Sequence, residues 1–99
     1  MRFDVHTHAM HPKIADKVVE HLHGHYGITA CGNGQVEDLL DRETRAGIDR
    51  VVVLSAATAP AQVIPANNWS ISLQQQHPEI ISFGTLHPEY EPWEKELDR

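Results

Sequence analysis

The run Val51-Val52-Val53-Leu54 constrains this chain most. Four consecutive apolar residues, three of them β-branched, suit a strand buried on both faces of a parallel sheet. An amphipathic helix over 35–46 feeds directly into it. Val36, Leu39, Leu40 and Ala46 form the apolar side of that helix, and Glu37, Asp38, Asp41, Arg42 and Arg45 the wet side. Gly47 supplies a left-handed stop and Ile48 covers the last turn. A helix leading straight into a doubly buried strand predicts a crossover connection, hence parallel strands with helices against the sheet.

The alternation extends in both directions. Residues 3–6 read as a strand, with Phe3 and Val5 on one face and Asp4 and His6 on the other. Pro12 suits the first turn of a helix whose stripe is Ile14, Ala15, Val18, Val19 and Leu22, closed by Gly24 and Gly27. Residues 27–34, with three glycines, read as a loop, as do residues 55–65, which hold Pro60 and Pro65. A third helix is expected from Asn67 or Asn68, burying Trp69 and Leu73 and ending before Pro78. Residues 80–86 form the third strand, with Gly84 as its weak spot, and Pro92 opens a helix carrying Trp93 and Leu97. The order β-α-α-β-α-β-α is that of one α/β domain over residues 1–99.

Size and charge exclude several classes. At 99 residues there is room for one modest core, whereas a whole (β/α)₈ barrel needs about 250 residues. A net charge of −6 argues against nucleic acid, whose phosphates call for clustered Lys and Arg. No apolar run approaches the roughly 18 residues of a membrane helix. Asp4 stands where a signal peptide would be apolar, and Cys31, being alone, offers neither an internal disulfide nor a CxxC zinc site. A reducing, cytoplasmic setting is expected.

Histidine is the outlying residue type, with 8 His against 8 Lys plus Arg. Protonating every one would carry the net charge from −6 to +2, so pH sensing and metal binding are both open. The spacing H-x-H occurs three times, at His6/His8, His21/His23 and His23/His25, so context must separate the pairs. In an extended segment i and i+2 point to one side, and two imidazoles can share one ion at roughly 2.0–2.1 Å. On a helix they lie about 200° apart and cannot. His6 and His8 therefore read as metal ligands at the end of the first strand, or as solvated loop histidines. His21 and His25 could share a metal only if the helix ran through Gly24; a solvated helix end is the plainer reading. His87 closes the third strand and is a rim candidate for acid–base work or substrate contact, or a loop histidine. His11 precedes the first helix, His77 ends the third, and Asp4 is placed to orient a histidine or to face inward.

These residues resemble a known family. Phe3-Asp4-Val5-His6-Thr7-His8 resembles the D-x-H-x-H strand that begins the amidohydrolase superfamily. Val36-Glu37-Asp38-Leu39-Leu40, then Ala46-Gly47-Ile48-Asp49 and Val51 to Leu54, resemble the second helix and strand of its amidohydrolase-related branch. Asn67, His77-Pro78-Glu79 and Phe83-Gly84-Thr85-Leu86-His87-Pro88 resemble the third unit. That branch includes metal-dependent hydrolases and the aminocarboxymuconate-semialdehyde decarboxylase type. The resemblance implies that the chain is the N-terminal part, about three βα units with parallel strands, of a TIM (β/α)₈ barrel. It implies a divalent metal, usually zinc, with His6 and His8 as its first two ligands. Further ligands are implied after strands five and eight, beyond residue 99. The implied reaction is attack of metal-activated water on a carbonyl-like carbon of a small-molecule substrate. Decarboxylation by the same metal, and a non-enzymatic metal-binding remnant, stand as alternatives. Homo-oligomerisation is left open.

Overall fold

A three-stranded parallel sheet carries the structure, a computed structural model that describes residues 1–99. In chain order the elements are β1 (Phe3–Thr7), α1 (Ala15–Tyr26), α2 (Val36–Arg45), β2 (Arg50–Val53), a 3-10 turn (Pro60–Gln62), α3 (Val63–Gln76), β3 (Ile80–Ser82) and α4 (Trp93–Asp98). The strands lie side by side as β1-β2-β3, so spatial order repeats chain order. The expected α/β alternation is present. No helix is long and apolar enough to cross a membrane.

The sheet is closed on one face only. Val51 and Val53 are 2% and 0% exposed, with Ile80 alongside, whereas Val52 between them is half-buried. Val36 from α2, Leu73 from α3 and Ala9 complete this core, backed by Leu39, Leu40, Ile48 and Trp69. Phe3 pairs with Arg50, one position before the core-facing Val51, and so lies on the opposite face. Phe3 and Val5 there are exposed, as is Phe83 just past β3. The expectation that Val51 to Leu54 is buried on both faces is corrected. Helices cover one side, Leu54 falls outside β2, and the strand begins instead at the exposed Arg50. Each fully buried side chain contributes about 1.5–3 kcal/mol, so the helix-covered face holds most of the hydrophobic stabilisation.

The first strand is irregular. Asp4 pairs with Val51 and Thr7 with Val53, so three steps in β1 match two in β2. The surplus residue reverses the faces after it, since successive side chains alternate. Asp4 and Thr7 therefore both lie on the helix-covered side, and His6 does not share Asp4's face. Thr7, buried, donates its hydroxyl to the Val52 carbonyl at 2.8 Å.

Four element boundaries depart from expectation. α1 starts at Ala15 rather than at Pro12 and runs through Gly24; Gly27, at φ 66°, stops it and donates its N–H to the His23 carbonyl at 3.0 Å. Gly24 costs the helix about 1 kcal/mol relative to alanine, which one residue among twelve can absorb. α3 begins at Val63 inside the expected loop, because Pro65 falls in the first turn, where the missing N–H has no helical partner to lose. β3 ends at Ser82, because the Asn67 side chain takes over the backbone beyond: its Oδ1 accepts the Thr85 N–H at 2.7 Å and its Nδ2 donates to the Thr85 carbonyl at 2.9 Å. In α4 Trp93 and Leu97 are exposed and Glu96 is the buried residue.

Candidate functional site

The C-terminal end of β1 brings His6 and His8 together. Their ring centroids are 5.4 Å apart at 69°. Two imidazoles on one tetrahedral ion, at Zn–N of about 2.0–2.1 Å, have centroids about 5.2 Å apart. The pair thus stands at chelating separation, and both residues are exposed. His8 is also oriented. A carbonyl oxygen only accepts, so the 2.9 Å contact to the Leu54 carbonyl fixes the proton on Nδ1. In the neutral ring the free lone pair is then on Nε2. A backbone carbonyl holding the far ring nitrogen is the usual arrangement around a metal-binding histidine.

The donor set stops at two. No group of three or more His, Cys, Asp or Glu side chains is placed to hold a metal ion. The pair fits a divalent ion of the zinc kind as part of a ligand set, leaving two tetrahedral positions to groups outside the pair.

The other expected participants are engaged in contacts of their own. Asp4 does not orient a histidine ring: its Oδ1 accepts the backbone N–H of His6 at 3.1 Å, and its carboxyl faces α2. There, burial first and then hydrogen bonding and repulsion from Asp4 push the Glu43 carboxyl above its ordinary value. His87 does not close the third strand, which ended five residues earlier. Its Nδ1 accepts the Glu89 N–H at 3.1 Å and its carbonyl accepts the Tyr90 N–H at 3.0 Å, so it organises a local turn. His11 packs edge-on against Trp69, with centroids 5.0 Å apart. The Trp69 indole N–H donates to the Ala9 carbonyl at 2.8 Å and so ties α3 to the chain leaving β1. His77 caps α3 through its backbone N–H. His21 and His25, with α1 unbroken at Gly24, stack at 5.3 Å.

A polar cluster around the exit of β3 escaped sequence reasoning. Buried Asn67 donates to Glu96 Oε1 at 2.9 Å, and Arg99 closes on the same carboxylate at 2.7 and 2.9 Å. Arg99 first and then Asn67 hold the Glu96 carboxyl below its usual range. Ser55 and Ser70 share a 2.8 Å hydrogen bond, joining the exit of β2 to α3. The signals were small polar residues at positions 67 and 70 of α3, where solvent exposure is the default assumption. A cleft of about 650 Å³ lies beside this cluster and is lined by Ser82, Thr85, Glu96 and Arg99 among others, and not by His6 or His8.

No family model, curated protein or solved structure matches this chain.

Proposed function

We propose that this chain supplies the first strands of a metal-dependent hydrolase barrel of the amidohydrolase type, with His6 and His8 as two of the metal ligands. The observation that carries the reading is the imidazole pair itself: 5.4 Å between centroids, at the end of β1, with the Leu54 carbonyl fixing the His8 tautomer. The sheet gives independent support. Parallel strands in chain order, with helices against one face only, follow the plan of a barrel wall. A doubly wound sheet reverses strand order and has helices on both faces. In the barrel reading the exposed Phe3 and Val5 point into the barrel interior, which further strands would fill.

A divalent metal bound there supplies Lewis-acid polarisation of a carbonyl-like group and lowers the pKa of water to about 7. His8 holds its place through Leu54, and His6 completes the two-nitrogen edge. The substrate proposed is a small molecule.

A second reading is favoured by one observation, the absence of a third converging ligand. On it the chain is a metal-binding module without hydrolytic activity. Zinc titration followed by imidazole NMR and metal analysis tests the site. Both readings expect the His6 and His8 ring signals to shift together, with His8 bound through Nε2, and expect His6→Ala, His8→Ala to lose about one ion per chain relative to the parent. Unchanged metal content and unmoved ring signals would refute the site. Hydrolysis of amide or ester substrates that disappears with the same double substitution separates the enzyme from the module.

A further inference from the structure

We propose that His21 and His25 form a second, independent site for a first-row divalent metal ion of the zinc, nickel and copper class on the exposed face of α1. The two rings sit one helical turn apart, with centroids at 5.3 Å; they stack with planes within 8° of parallel, so one ring must turn for both in-plane lone pairs to meet at a shared ion. That separation again falls near the roughly 5.2 Å spacing of two imidazoles on one tetrahedral ion. The i, i+4 relation is also the spacing by which histidines on one helix face share zinc.

Both rings of this pair are available. His8, His11 and His87 each have a ring nitrogen engaged by backbone. The rings of His21 and His25 contact aromatic neighbours instead: each other, and for His25 also Tyr26 edge-on at 4.6 Å. Both residues are exposed, so each ring turns freely about its broad terminal torsion to aim a nitrogen at a shared ion. Gly24 lies on the same face and leaves the approach open, since even a Cβ there would meet nothing within 4 Å. Lys17, one turn earlier on this stripe, is exposed. The pair also lies toward the C-terminal end of α1, where the helix dipole favours a cation. Imidazole nitrogen suits zinc, copper and nickel.

Such an ion bridges α1 across Gly24, the residue that most weakens the helix. Binding should therefore slow amide exchange over residues 21–25 as well as shift the two rings.

The test uses zinc alone on the full chain carrying His6→Ala and His8→Ala, so that the rim pair is silent and the two sites stand or fall separately. One further zinc per chain is expected, with the His21 and His25 ring signals moving together. Adding His21→Ala or His25→Ala should weaken binding about tenfold or more, at least as much as losing a ligand's supporting partner. A second variant guards against simple histidine counting. His23→Ala removes a histidine from the same helix, about 200° from each member of the pair, and should bind zinc as the parent does. Zinc affinity unchanged by His25→Ala, or lost as fully in His23→Ala as in His25→Ala, would overturn the site.

Discussion

Asn67 should be the polar side chain this fold can least spare. It is 9% exposed and makes three hydrogen bonds, two to the Thr85 backbone and one to Glu96. Asn67→Ala removes both bonds to Thr85 and leaves a partly buried N–H and carbonyl short of partners. Each is worth about 1 kcal/mol net, and about 1–3 kcal/mol where the partner stays unpaired, so the loss comes to about 2–4 kcal/mol. That is a large part of the roughly 5–15 kcal/mol expected for a domain. Asn67→Asp isolates the donor. It keeps an acceptor for the Thr85 N–H but turns a second oxygen toward the Thr85 carbonyl and the Glu96 carboxylate. It should therefore be worse than Asn67→Ala at pH 7, although it is closer in shape. Acid should reverse the ranking's cause. In the parent the Glu96 carboxyl is held below its usual range, so its contribution is present above the ordinary glutamate value and is lost as pH falls through the lowered native value. In Asn67→Asp the opposed carboxyls raise one native pKa, so that penalty fades as pH falls. Urea unfolding followed by circular dichroism at pH 7 and pH 4.5 reads both effects. A cost below about 1 kcal/mol for Asn67→Ala, or parental stability of Asn67→Asp at pH 7, would refute the assignment.

Three further predictions rest on the helices. Gly47→Ala should destabilise by about 1–2 kcal/mol, because φ is 77° there and an added Cβ meets only Arg2 Nη1 at 3.6 Å, so backbone strain alone is at work. Gly24→Ala, helical and unobstructed, should stabilise by up to about 1 kcal/mol; thermal melts of the two variants should move in opposite directions. Glu43→Gln should stabilise the fold at neutral pH. The Glu43 carboxyl is raised by burial and by Asp4, so its ionisation costs stability as pH climbs from the ordinary 4.5 through the raised native value. Below pH 4 the parent carries no such penalty and the advantage should vanish, which paired urea titrations at pH 3.5 and 7 check.

The elements with strong local signals were legible in the sequence. The apolar stripe of α2 with its Gly47 stop, and the β-branched run of β2, needed only periodicity and a left-handed terminus, and both formed within a residue or two of expectation. What stayed hidden depended on distant partners. Nothing local marks the surplus residue in β1, which appears only when β1 is paired with β2. The early end of β3 follows from Asn67, thirteen positions upstream of Ile80. Pro65 reads as a breaker until its place in the first turn of α3 is known. At the site, the H-x-H spacing announced the His6 and His8 pair, but the Leu54 carbonyl that orients His8 is backbone forty-six residues away. The displacement of Asp4 from the histidine face follows from the same surplus residue.

A sheet whose spatial order copies its chain order has a consequence for how it is made. Each strand pairs with the strand synthesised just before it, so β2 meets β1 already present and β3 meets β2. No strand has to wait for a later one to be inserted between itself and its neighbour. Growth is vectorial, always at the youngest edge, and synthesis at roughly 5–20 residues per second allows each pairing seconds in which to form. The long closures between strands are thereby taken one at a time, which limits the kinetic cost that parallel pairing ordinarily carries.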